Sequence, residues 1–300
     1  MSVHPRPAPT GWTPFSPCHP DRCLPAASDE AGWARRAGRL LSAAFLVLCG
    51  LAFSPVLLVV SRRRRHTLVS AGARMLLRAL GIRLTVAGSV VRPGGRAVLY
   101  VGNHGSWIDI LTMVAIQPCR HVAKASIRRW PVVGPIAAAA GSVWMERDKL
   151  SKLPATIDAA SRALRMSGAL AGFPEGTTWC GQERGPFKPA LFEAAVRAGA
   201  VVQPVALRFG DTRMAFVGDD SLAASLWRAV SLRRPTVEAI PTAALDATVI
   251  RSRRELAALA SSSIASALTD GRMATMRASS ASMVAMRPQA PSYLTALPSS

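Results

Sequence analysis

Apolar and polar positions along the 300-residue chain fall into three regimes. Residues 1–37 are proline-rich, show no apolar periodicity and read as a flexible arm. Residues 40–60, LLSAAFLVLCGLAFSPVLLVV, carry no charge at all. As one helix at about 1.5 Å per residue they would extend roughly 30 Å, the thickness of a bilayer's hydrocarbon core. Pro55 would kink that helix, which membrane helices tolerate when neighbours re-satisfy the freed carbonyl. Arg62, Arg63, Arg64 and Arg65 follow directly, and each would bind anionic headgroups by about 1 kcal/mol. Arg35, Arg36 and Arg39 flank the other side, so a shallow re-entrant helix on the cytoplasmic face competes with a full span. Residues 67–80 then set Leu68, Met75, Leu76, Ala79 and Leu80 against Arg74 and Arg78. That spacing makes an amphipathic helix, suited to an interface or to packing on a domain.

After Gly81 the texture changes to short apolar runs alternating with helical patterns. Strands are expected at residues 82–86, 97–101, 121–123, 142–145, 170–173, 201–207 and 236–240. Helices are expected at residues 108–116, 153–166, 188–198, 221–230 and 253–268. This alternation predicts an α/β domain over residues 81–270, with a mixed, largely parallel sheet flanked by helices. The hydrophobic membrane helix and the amphipathic helix of residues 38–80 precede it. Residues 271–300 are Ser-, Ala- and Met-rich without clear periodicity and predict a disordered tail.

Charge sharpens the picture. Half of the residues are apolar and mean hydropathy is +0.23, yet the net charge is +20 and the isoelectric point about 11.5. Apolar and strongly basic together favour an anionic membrane surface as partner. Lys and Arg would also neutralise nucleic acid, but no zinc-finger spacing, basic zipper or RNP-like motif is present, so no nucleic-acid role is expected. The five cysteines are sparse and odd in number, as in a reducing compartment. Cys18, His19 and Cys23 lie close together, but no further ligands follow nearby. They read as unpaired thiols in a mobile arm, with no metal and no bound cofactor.

Candidate chemistry concentrates in Asn103-His104-Gly105-Ser106-Trp107-Ile108-Asp109, directly after the strand AVLYV. That position is a loop entering a helix, where α/β proteins place their sites. His104 can take a proton from an alcohol near neutral pH. A carboxylate such as Asp109, bonded to one ring nitrogen, would fix the tautomer and stabilise the imidazolium. By spacing alone, the same pair also describes a capping aspartate and a loop histidine.

Other blocks stand in order behind this one. They are Gly141-Ser142-Val143-Trp144-Met145-Glu146-Arg147, Phe173-Pro174-Glu175-Gly176-Thr177-Thr178, and Val202-Gln203-Pro204-Val205-Ala206-Leu207. With Asn103-His104 through Asp109, which resembles an NHxxxxD signature, the set resembles the glycerolipid acyltransferase family, in particular the 1-acylglycerol-3-phosphate acyltransferases. The resemblance covers residues 68–207. It implies an O-acyltransferase with His104 and Asp109 as the catalytic pair. Arg147, Glu175, Gly176, Thr177 and Thr178 would bind the acceptor, and Asn103 and Gly105 would serve as oxyanion or structural residues.

Bottom-up chemistry fits that implication. A phosphorylated acceptor needs fixed cations, and the Arg147 guanidinium matches phosphate oxygens in pairs, unless it is used in an ion pair with Glu146 or Asp148. Lys124 and Lys188 are weaker cation candidates. Gly176 permits a tight turn and close approach by a ligand. Glu175 suits ordering of backbone or a cation, or bonding of a glycerol hydroxyl. Many members of the resembled family carry Arg where this chain has Thr178. That departure leaves open another acceptor, such as a lyso-amino-acid lipid.

The expected reaction moves a fatty-acyl group from acyl-CoA or acyl-acyl carrier protein to a lysophospholipid, giving phosphatidate when the acceptor is 1-acylglycerol-3-phosphate. Its expected place is the cytoplasmic face of a membrane, the inner one in a bacterium. Two other readings remain distinct from it. A membrane lipid-binding protein could keep the fold without turnover, whereas a metal-dependent hydrolase on His104 and Asp109 alone would have an incomplete ligand set.

Overall fold

The computed structural model describes residues 14–26, 29–147 and 149–285. Helices α1 (Pro20–Cys23), α2 (Trp33–Ala52), α3 (Val56–Val59) and α4 (Arg62–Ala79) precede the first strand. Then come β1 (Arg83–Val86), β2 (Val98–Gly102), α5 (Ile108–Ile116), β3 (Arg120–Lys124), α6 (Val133–Ala139), β4 (Val143–Met145), α7 (Leu153–Ser167) and β5 (Ala169–Gly172). The chain continues through α8 (Ala190–Ala198), β6 (Val201–Phe209), α9 (Leu222–Ser231), β7 (Thr236–Pro241), β8 (Leu245–Asp246) and α10 (Arg253–Ala285).

The sheet order is β1-β7-β6-β2-β5-β3-β4, with β8 also paired to β6. β7 and β8 run antiparallel to β6, and the other pairings are parallel. Alternation along the strands divides the core between the two faces. In β2, Leu99 and Val101 pack with Leu164 of α7, Phe192 of α8 and Leu256 of α10. Val98 and Tyr100 point the other way, toward Met113 of α5. Beyond α5, a further layer joins Leu77 of α4, Val230 of α9 and Ala43 of α2. Each fully buried Leu, Ile or Phe contributes about 1.5–3 kcal/mol relative to exposure, so the sheet is sealed on both sides.

Four expectations need correction. The apolar stretch of residues 40–60 is not one helix: α2 ends at Ala52, the chain turns through Phe53 and Pro55, and α3 is a single turn. Residues 40–52 give only about 20 Å of apolar helix, against roughly 30 Å for a span. Among the described residues no helix is long and apolar enough to cross a membrane. Arg62 to Arg65 lie within the first turn of α4, whose start precedes the expected residue 67.

Secondly, the arm is not structureless where it is described. α2 begins at Trp33, and its Arg39 reaches back over the end of α9, donating to Val230 O at 2.7 Å and Leu232 O at 2.6 Å. Those carbonyls lack partners within the helix, and a guanidinium near a helix C-terminus is electrostatically favoured. Residues 1–13 of the arm lie outside the described residues. Thirdly, the last helix passes the expected residue 268 and runs to Ala285, so residues 271–285 are helical, while 286–300 lie outside the described residues. Fourthly, Cys18 and Cys23, expected as thiols of a mobile arm, are free thiols but are packed against the domain, where their sulfurs meet that of Cys180. Helix α6, absent from the expected elements, fills the small-residue run 134–141.

Candidate active site

Because β2, β3, β4, β5 and β6 are parallel, their carboxyl ends share one edge of the sheet. Open α/β sheets bind ligands at that edge. β2 delivers Asn103 to Asp109 there, β5 delivers Phe173 to Thr178, and β4 delivers Glu146 and Arg147.

His104 and Asp109 meet. The His104 Nδ1 lies 3.0 Å from Asp109 Oδ2, and the same oxygen accepts the N–H groups of Gly105 at 2.7 Å and Ser106 at 2.8 Å. Asp109 sits in the first turn of α5, where a carboxylate opposes the positive helix end. It does not cap the helix, whose N-cap is Trp107; it ties down the loop before that cap and is the histidine's partner. The Asp109 side chain is 1 % exposed and that of His104 11 %, so the imidazole keeps one open edge.

The backbone of His104 is clamped from both sides. Its N–H donates to Glu175 Oε2 at 2.7 Å, and its carbonyl accepts the Trp179 N–H at 2.8 Å. Its ring stacks on Phe173, with centroids 4.2 Å apart and planes 8° from parallel. The first and third sequence blocks thus hold one imidazole in a fixed orientation. Burial pushes the Glu175 carboxyl up to about 8, and the Asp109 charge adds to this, while the His104 N–H and Arg184 oppose it. His121 also lies beside Phe173, and burial, followed by the charge of His104, holds its imidazole down at about 4.

The remaining candidates separate. Arg147 donates to the Gly176 carbonyl, which brings a guanidinium to the Phe173–Thr178 turn. Glu146 pairs instead with Lys152 and, at 3.8 Å, with Lys149, whereas Asp148 lies outside the described residues. Gly176 has φ +78°, and a Cβ there would stand 2.7 Å from Pro14 Cγ, so the close approach is made by the chain's own N-terminal segment. Thr177 and Thr178 are half-buried on the same turn. Asn103 is engaged in both directions with β6, its Nδ2 donating to Leu207 O at 2.9 Å and its Oδ1 accepting Leu207 N–H at 2.8 Å. The amide thereby extends the β2–β6 pairing by one residue, and the Gly105 N–H is held by Asp109; neither group is directed at an oxyanion. Lys188 meets the turn through its backbone, 2.9 Å from Pro174 O, and Lys124 is exposed at the end of β3.

Sequence reasoning missed the stacking role of Phe173, the Trp179 clamp and the neighbouring His121. Trp179 and Cys180 directly follow the third block, which was the available signal; nothing marked His121, the one buried residue of β3.

Comparison with known proteins agrees with this geometry. The acyltransferase family model matches residues 83–208. A 1-acyl-sn-glycerol-3-phosphate acyltransferase of Neisseria gonorrhoeae is 35 % identical over 181 residues, covering 59 % of this chain and 71 % of that protein. A lyso-ornithine lipid O-acyltransferase of Pseudomonas aeruginosa is 34 % identical over 203 residues, 64 % of this chain and 75 % of that one. The crystal structure of the 1-acyl-sn-glycerophosphate acyltransferase PlsC of Thermotoga maritima matches 79 % of this chain and 98 % of its own, with TM-score 0.61 at 18 % identity, a likeness of fold. With its motif blocks converging on one histidine and relatives matched over most of their length, the chain belongs to the acyltransferase family and is an O-acyltransferase.

Proposed function

We propose that this enzyme transfers a fatty-acyl group from acyl-CoA or acyl-acyl carrier protein to the free hydroxyl of 1-acylglycerol-3-phosphate, giving phosphatidate. The observation that carries the reading is His104 Nδ1 at 3.0 Å from a buried Asp109 carboxylate, with the histidine backbone clamped on both sides. With Nδ1 protonated toward Asp109, Nε2 is the base. It removes the acceptor hydroxyl proton as that oxygen attacks the thioester carbonyl. The tetrahedral intermediate then expels the thiolate, which takes the proton back from the imidazolium. General-base help of this kind supplies about 10²–10⁴-fold, and positioning of the two substrates supplies much of the rest. Arg147 brings a fixed positive charge to the same turn for the acceptor phosphate.

A second acceptor class has its own support. The lyso-ornithine lipid O-acyltransferase of Pseudomonas aeruginosa matches this chain about as well as the glycerophosphate enzymes do, and Thr178 lacks the charge expected of a second phosphate ligand. Radiolabelled acyl-CoA and acyl-acyl carrier protein offered with a panel of lyso-lipids decide between them. Preferential labelling of phosphatidate supports the first reading, and labelling of a lyso-amino-acid lipid alone replaces it. Loss of all transfer in His104→Ala rejects a lipid-binding protein without turnover.

The reaction is placed at a membrane surface, on the cytoplasmic face of a bacterial inner membrane. Leu41, Phe45 and Leu48 recur every three or four residues on the outer face of α2 and are exposed, as are Phe53 and Val59 beyond it. An apolar stripe of that kind, with basic residues around it, suits shallow insertion among anionic headgroups.

A further inference from the structure

Two neighbouring thiols of the N-terminal segment meet a third from the loop after the active-site turn. Cys18 and Cys23 bracket α1 with four residues between them, and Cys180 follows the Trp179 that clamps His104. Their sulfurs lie within 4.8 Å of one another, with Cys18 and Cys180 buried and Cys23 half-buried. All five cysteines are free thiols. We propose that Cys18, Cys23 and Cys180 form a binding site for a zinc ion that locks the N-terminal segment onto the active-site loop.

The spacing suits this ion. Two cysteines separated by two to four residues form the usual half of a structural zinc site, and Cys180 from a distant loop adds a third thiol. Zinc–sulfur bonds of about 2.3 Å in a tetrahedron place sulfurs about 3.8 Å apart, inside the observed limit. A disulfide would use two of these sulfurs and strand the third. Backbone amides face two of the sulfurs: the Cys180 N–H donates to Cys18 Sγ at 3.4 Å, and the N–H groups of Glu183 and Gln182 are directed at the Cys180 sulfur. Amide donors to ligand sulfurs are typical outer partners of such centres. Gln182 also reaches the Cys23 carbonyl at 3.4 Å. Each thiol that binds releases its proton to solvent, with no change of oxidation state. His19 Nε2 is 3.4 Å from Asp219, and among the described residues no fourth side-chain ligand atom joins the three, so water completes the tetrahedron.

The ion would act on catalysis through position. It would tie a segment whose Pro14 packs on Gly176 to the loop whose Trp179 N–H holds His104. The test is metal analysis of the purified full-length chain, prepared reduced and supplied with zinc. About one zinc per chain is expected in the wild type, in Cys49→Ser and in Cys119→Ser, and its loss in Cys18→Ser and Cys180→Ser. Should those last variants fail to fold, cobalt titration of the wild type still decides. A thiolate-to-cobalt charge-transfer band saturating near one equivalent, and bleached by zinc, supports the site. Reduced wild type without stoichiometric zinc or that band overturns it, as does intact-mass evidence for a disulfide between any two of the three cysteines.

Discussion

The ends of β2 and β5 and the outer face of α2 treat apolar and polar groups in opposite ways. At the strand ends, carboxyl groups are buried and one oxygen of each is answered by donors: Asp109 Oδ2 by three N–H groups and Glu175 Oε2 by the backbone of His104. On α2, large apolar side chains are left in solvent, Leu41 at 72 % exposure, Phe45 at 65 % and Leu48 at 64 %. Both arrangements oppose the usual partition of residues between core and surface. The first is stable because the buried Asp109 carboxylate has several charge-assisted bonds, while burial favours the uncharged form of Glu175. The second is stable because α2 anchors through its other face, by Arg39 and Ala43, and leaves its apolar stripe uncovered.

The strongest way to break this contrast is Asp109→Asn. The amide can still accept the Gly105 and Ser106 N–H groups through its oxygen, so the fold should survive. That oxygen, standing in for Oδ2, would also still accept from Nδ1, but the neutral amide lacks the negative charge that stabilises the imidazolium formed when Nε2 takes the proton. We expect kcat to fall on the order of 10³-fold with the acceptor KM nearly unchanged. Thermal denaturation run alongside should show little movement; a collapse of stability instead would make Asp109 a structural residue first.

Next in size is the proposed membrane face. Replacing Leu41, Phe45 and Leu48 together by Ser removes side chains each worth about 1.5–3 kcal/mol when fully buried in an apolar phase. Partial insertion should still cost on the order of 10²-fold in partitioning to vesicles of anionic phospholipid. Turnover of a short-chain, water-soluble acceptor should stay unchanged. Unaltered vesicle binding would assign the stripe to some other contact.

The same contrast explains what could be read in the sequence. His104 and Asp109 are five residues apart across a strand-to-helix turn, so their meeting is a local event that the strand and helix patterns already imply. Most strands and helices of the α/β domain fell within two residues of expectation for the same reason, because alternation and helical periodicity are local. What failed was long-range. The uncharged run of residues 40–60 has the composition of a span, but Pro55 and the docking of Arg39 onto α9 decide its length and orientation. Cys18 and Cys180, 162 residues apart, carry no local sign that they meet.

Glu175→Gln sharpens the contrast from the buried side. Glu175 has a folded-state pKa of about 8 against an ordinary 4.5, with burial the main cause. A carboxyl raised in this way is easiest to fold below its unfolded pKa, and stability is lost as pH climbs toward the folded value. The variant keeps an acceptor for the His104 N–H but cannot ionise. It should therefore gain stability over wild type progressively from about pH 4.5 to pH 8, at a slope of up to about 1.4 kcal/mol per pH unit. Denaturant midpoints measured across that window check it. A difference that does not vary with pH would mean that Glu175 ionises normally in the folded chain.

The smallest effect concerns how the helical layer is fixed to the catalytic one. Ala115 O near the end of α5 accepts two bonds from α4, from Ser70 Oγ and from Arg74 Nε, each at 2.8 Å. Either donor alone leaves that carbonyl satisfied, so Ser70→Ala should cost only about 0.5–1 kcal/mol. Arg74→Ala should lose a similar bond. Removing both strands a carbonyl between packed helices, and the double variant should exceed the sum of the singles by about 1 kcal/mol. Equilibrium denaturation of the four proteins gives the coupling directly. Strict additivity would mean that water reaches the end of α5, and that α4 rests on the domain through Leu77 and its apolar neighbours alone.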